Sequence, residues 1–113
     1  MIYTDSRKGN SSSETHITHL DRTTPSPDPV NMWTQTYGGI GGDSGEALVE
    51  CSNGGFAIAG HTSSYGEIYE DFWLLRTDAN GNHLWNHTYG GSFYDHCFAV
   101  LECSDGGFLL AGY

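Results

Sequence analysis

Basic residues are scarce in this sequence. Lysine and arginine number 4 against 14 aspartates and glutamates, giving a formal net charge of −10 over 113 residues. Nucleic-acid affinity rests on lysine and arginine neutralising phosphates, so the balance excludes DNA and RNA as partners. An anionic membrane surface is disfavoured for the same reason, and the acidic excess reads as a solvated surface. Long apolar runs are also missing. No stretch reaches the roughly 20 apolar residues that cross a bilayer, so no membrane insertion is expected. The opening MIYTDSRKGNSSSETH lacks the apolar core of a signal peptide. A start site further upstream would leave the same pattern, and secretion stays open.

Cysteine is sparse as well, with Cys51, Cys97 and Cys103 only. If Cys97 and Cys103 share a strand, a rise of about 3.3 Å per residue sets them roughly 20 Å apart, too far for a disulfide. Cys51 and Cys103 hold matching places in a repeat, which predicts equivalent small packing thiols rather than a bridge.

What the chain does contain in quantity is glycine, at 16 residues, and aromatic side chains, at 13%. That mixture suits many short strands joined by tight turns, with aromatic packing between layers. The chain also writes one stretch twice. WTQTYGG at Trp33 returns as WNHTYGG at Trp85, and ECSNGGFAIAG at Glu50 returns as ECSDGGFLLAG at Glu102. The pairs Trp33/Trp85, Tyr37/Tyr89, Asp43/Asp95, Cys51/Cys103 and Phe56/Phe108 are all offset by 52 residues. A fixed period of that size marks a repeat architecture.

Residues 1–29 are polar, run through SSS, TT and PSPDP, and show no periodicity. They read as a disordered tail or linker. His16 and His19 lie within it as HITH, without the further ligands a metal site needs. From residue 30 strand signals begin. A closing strand is expected over 32–37, a full four-stranded unit over 46–89 and a partial one over 97–113. In EALVEC, Ala47, Val49 and Cys51 alternate with Glu46 and Glu50, and FAVLEC keeps the pattern with Ala99, Leu101 and Cys103. SNGG and SDGG supply residues that tolerate positive φ, predicting tight hairpins. GFAIAG is apolar at nearly every position, as expected of a strand covered on both faces. DFWLLRTD is nearly as apolar and ends at the turn ANGN, while HLWNHTY mixes polar and aromatic residues and suits an outer strand. Four antiparallel strands in about 50 residues, apolar inside and more polar at the rim, describe one propeller blade. The fold class is therefore all-β, a partial β-propeller of about one and a half blades plus an N-terminal closing strand.

The Gly-Gly doublet, two apolar strands and a Trp before the next repeat resemble kelch-like β-propeller repeats. The likeness is closer to prokaryotic, often secreted propeller repeats with a GGF-x-x-AG strand, a TD-x-NG-N turn and a W-x-x-TYGG closing strand. It covers Met32 to Tyr113. The resemblance implies an extracellular or cell-surface setting and a scaffold that binds a protein or carbohydrate partner. It equally accommodates a secreted hydrolase or lyase whose catalytic residues lie on other blades. A ring needs about 4 to 8 blades. The segment is thus expected either to belong to a longer chain or to self-associate through open blade edges.

An up-and-down meander gathers the longer loops, Gly38 to Gly45, His61 to Glu70 and Gly90 to His96, at one end of the sheets. Rim residues on a rigid scaffold are where binding concentrates. Tyr65, Glu67, Tyr69, Phe93 and Tyr94 are accordingly the candidate binding residues, with ordinary loop packing as the competing role. No catalytic set, cofactor or metal site is read. GGIGGDSGE lacks the P-loop lysine and precedes a strand. Asp78, Asn80 and Asn82 begin like a calcium loop, but Gly81 is misplaced and Tyr89 stands where a glutamate is required. His83 and His87 would be about 13 Å apart on one strand face. His96 and Cys97 are strand neighbours that point to opposite faces, which disfavours a catalytic dyad. Asp43 and Asp95, each just ahead of a first strand, are expected to tie their loops to backbone amides.

Overall fold

A computed structural model of the chain describes residues 2–8, 13–19, 33–66 and 68–113, with the first two segments described as backbone. Among these residues there are nine strands and no helix. They are β1 (Ile2–Lys8), β2 (Ser13–His19), β3 (Trp33–Tyr37), β4 (Asp43–Glu50), β5 (Phe56–Thr62), β6 (Asp71–Thr77), β7 (His83–Tyr89), β8 (Cys97–Glu102) and β9 (Phe108–Gly112). They form three antiparallel sheets, ordered β1-β2-β3, β4-β5-β6-β7 and β8-β9. The protein is all-β.

Two strands fall inside the stretch read from sequence as a disordered tail. β1 and β2 pair over seven positions, with Arg7 opposite Glu14 and Asp5 opposite His16, and β2 continues onto β3. The polar composition hides strands whose β-branched residues, such as Ile2, Thr4, Thr15 and Ile17, favour extended backbone. The expected closing strand is thereby the third member of a sheet rather than a strand alone. Residues 1, 9–12 and 20–29 of that stretch lie outside the described residues.

The four-stranded sheet is the centre of the molecule because both of its faces are covered. β4 lies against β1 and β2 on one side and β8 on the other. The two-residue alternation of each strand then feeds two separate cores. Phe56, Ile58, Trp73 and Leu75 point toward β3 and pack with Tyr37, Trp33 and Leu48. Ala57, Leu74 and Cys51 point the other way and pack with Val49, Trp85, Val100, Phe108 and Leu110. GFAIAG is apolar throughout for this reason. Beyond β9, Phe72, Leu74, Trp85 and Tyr89 face Phe108 and Leu110 across an open groove of about 590 Å³.

The repeat in sequence is a repeat in space. The Trp33 ring sits 5.9 Å from Phe56, and Trp85, 52 residues later, sits 6.4 Å from Phe108. The SNGG and SDGG turns close with the same bonds: Gly54 and Gly106 donate to the carbonyls of Cys51 and Cys103, at 3.0 Å each. The ANGN turn is the expected hairpin. Asp78 Oδ1 accepts from the Asn80 and Asn82 amides at 2.8 and 2.9 Å, so its carboxylate is committed to the turn rather than to a cation. Gly81 has a φ of +81°, and a Cβ there would collide with the Trp33 ring. Tyr37 closes the same corner by donating its hydroxyl to the Gly81 carbonyl. Burial, reinforced by the charge of Asp78, pushes the Tyr37 phenol well above its ordinary pKa. All three cysteines are free thiols.

Candidate functional site at the loop end

The long loops assemble at one end because polar side chains and backbone stitch them together. Ser64 Oγ accepts from the Gly41 amide and Ser63 Oγ from the Gly42 amide, each at 2.8 Å. Ser63 returns its own amide to the Gly42 carbonyl at 2.8 Å. Asp43 sits beneath, buried, accepting from the Gly39 amide at 2.9 Å, from Ser64 Oγ at 2.7 Å and from Thr62 Oγ1. Asp95 repeats the first of these bonds, accepting from the Gly91 amide at 2.9 Å. Both aspartates are loop ties, as their position ahead of a first strand suggested. The Asp95 amide donates to the Glu70 carbonyl at 2.7 Å and fastens the second loop to the third.

The rim residues divide. Tyr65 lays its ring 5.9 Å from Trp73 and donates its hydroxyl to the Gly38 carbonyl at 3.0 Å, so much of it is engaged in loop packing on the β3 side. Tyr69 and Tyr94 meet on the β8 side, with centroids 5.1 Å apart and planes at 52°. Phe93 is 80% exposed and Ile68 87% exposed. Ile68, Tyr69, Gly90, Gly91 and Ser92 line a cleft of about 390 Å³. Tyr69 and Tyr94 therefore come together, while Tyr65 sits on the other flank. Glu67 lies outside the described residues.

Beside the tyrosines is a cluster that the linear sequence did not reveal. His61, near the end of β5, stacks on His96, which leads into β8, with centroids 4.1 Å apart and planes within 13°. His96 Nε2 lies 2.6 Å from Glu70 Oε2, at 25% and 27% exposure. Tyr94 meets the His96 ring edge-on at 6.3 Å. The His96 backbone is pinned by exchange with Tyr113, its amide donating at 2.5 Å and its carbonyl accepting at 2.9 Å. Burial lowers the His61 pKa, and His96 lowers it further, while Glu70 and Glu46 pull the other way. That keeps the ring neutral near pH 7. One signal in the sequence could have pointed here. His61 and His96 occupy repeat positions filled by Tyr113 and Ser44 in the other copy, so both break the repeat.

The sequence matches no family model, and no curated protein matches it.

Proposed function

We propose that the stacked sheets are blades of a kelch-like β-propeller, and that they act as a rigid, non-catalytic platform holding a protein partner at the loop end. The blade reading is supported by the resemblance of the repeated motifs and by the matched Trp33–Phe56 and Trp85–Phe108 contacts. The binding reading is carried by one observation: Phe93 and Ile68 stand in solvent beside the Tyr69–Tyr94 pair and its cleft, on loops fixed by hydrogen bonds. Aromatic side chains presented on pre-ordered backbone bind without a large ordering cost. Exposed Ile68 and Ile40 favour a protein over a sugar, because aliphatic tips offer no flat face for a pyranose. The two tyrosine planes, 52° apart, also make no continuous stacking floor. A net charge of −10 favours a basic partner surface.

The test is selection from a random peptide display library on the intact chain, with a glycan array run in parallel. Basic, apolar-rich binders should weaken at least about tenfold on Phe93→Ala/Tyr94→Ala, as loss of an aromatic anchor does. Binders indifferent to those substitutions would remove the rim from the account. Selective glycan binding would replace the protein partner with an oligosaccharide.

A further inference from the structure

We propose that His61, Glu70 and His96 form a binding site for a divalent transition-metal ion of the zinc type, which clamps the four-stranded sheet to β8-β9. One ring nitrogen of each histidine and one carboxylate oxygen of Glu70 all lie within 4.8 Å of one another. Two imidazoles and one carboxylate make a three-ligand set for zinc, with water completing the tetrahedron. The donors also set the choice of metal. Calcium and magnesium require mostly oxygen ligands, whereas imidazole suits zinc, cobalt and nickel.

Three further features make the cluster a site rather than a chance meeting. The backbone of two ligands is fixed, since Asp95 beside His96 donates to the Glu70 carbonyl and His96 exchanges two hydrogen bonds with Tyr113. His61 Nδ1 is shut off from solvent and has no hydrogen-bond partner, which leaves a ring nitrogen unused. The chain's charge of −10 concentrates cations near its surface. Bonds of about 2.0–2.1 Å place tetrahedral ligand atoms roughly 3.3 Å apart. His96 Nε2 and Glu70 Oε2, now 2.6 Å apart, must therefore part by roughly 0.7 Å, the His61 nitrogen must draw in toward them, and the near-parallel imidazoles must turn so that their lone pairs converge. Metal binding thus unstacks the histidine pair. His61 belongs to β5 and His96 leads into β8, so the bound ion joins the two sheets and stabilises the folded form. The inference is independent of the partner proposed above, because none of its ligands is among the rim residues substituted there.

The experiment is calorimetric titration of the chelator-treated, tag-free 113-residue chain with zinc chloride, repeated with cobalt chloride and read by visible absorption. One zinc per chain at micromolar affinity or tighter is expected, with a four-coordinate cobalt spectrum and a melting temperature that rises with free zinc. Glu70→Gln, which keeps the side-chain shape, should weaken binding at least about tenfold, since even residues that only orient a ligand change affinity 10–100-fold. His96→Ala should do the same. His16→Ala/His19→Ala/His83→Ala/His87→Ala should leave the titration unchanged. Absence of saturable binding, full affinity in Glu70→Gln, or loss of binding in the four-histidine control would each overturn the proposal.

Discussion

At the scale of single residues, the same side chain does different amounts in the two repeats. Asp43 is buried and accepts from an amide and two hydroxyls, whereas Asp95 shows only the repeated amide bond. Removing a buried acceptor leaves its donors without partners, at about 1–3 kcal/mol for each strong bond. Asp43→Ala should therefore lose about 2–4 kcal/mol in urea unfolding and Asp95→Ala about 1 kcal/mol or less. Equal losses would mean that the second hydroxyl-rich contact contributes nothing. Arg76 is the sole lysine or arginine between residues 33 and 113. It is buried, and its guanidinium donates to the Gly54 carbonyl at 2.8 Å, to Asn53 Oδ1 at 2.5 Å and to the Thr77 carbonyl, binding the SNGG hairpin to β6. Lysine lacks that planar fork. Arg76→Lys should cost about 1.5–3 kcal/mol by chemical denaturation, the range for hydrogen bonds made by a charged group. Wild-type stability in that variant would show that charge alone suffices.

At the scale of elements, one turn contributes a pH dependence of its own. The Asp78 carboxyl is held below its ordinary pKa by the Asn82 amide first, then the Asn82 side chain, with the Asn80 amide adding to them. A depressed pKa in the folded state means stabilisation that is complete above the unfolded value and disappears as pH falls through the folded one. Asp78→Asn should therefore flatten the acid limb: wild type loses stability on acidification below about pH 4, and the variant loses less. Parallel acid limbs in denaturation series would refute this. The elements also show where sequence patterns are readable. β5 and β6 announce themselves because Phe56, Ala57, Ile58, Trp73, Leu74 and Leu75 each pack on one face or the other. β1 and β2 do not, because a polar strand leaves no hydrophobic period to read.

At the scale of the whole molecule, stability comes from stacking sheets face to face, so each interface should open separately. Trp85→Ala removes the aromatic that meets Phe108, and Trp33→Ala the one that meets Phe56. Each should cost about 3 kcal/mol. In hydrogen exchange, Trp85→Ala should expose β8 and β9 while β4 to β6 stay protected, and Trp33→Ala should instead expose β3. Uniform loss of protection in both variants would make the three sheets one cooperative unit.

The order of residues alone dictates the β class, the 52-residue repeat, the hairpin turns and the end of the sheets where the long loops meet. These follow from local chemistry: alternation, glycines that accept positive φ, and motifs that recur at fixed spacing. Tertiary structure alone decided that Tyr69 pairs with Tyr94 while Tyr65 packs on Trp73. It alone brought His61 onto His96 with Glu70 alongside. Those residues lie on different sheets and loops, and no spacing along a chain encodes which of its distant side chains meet once flat surfaces are pressed together.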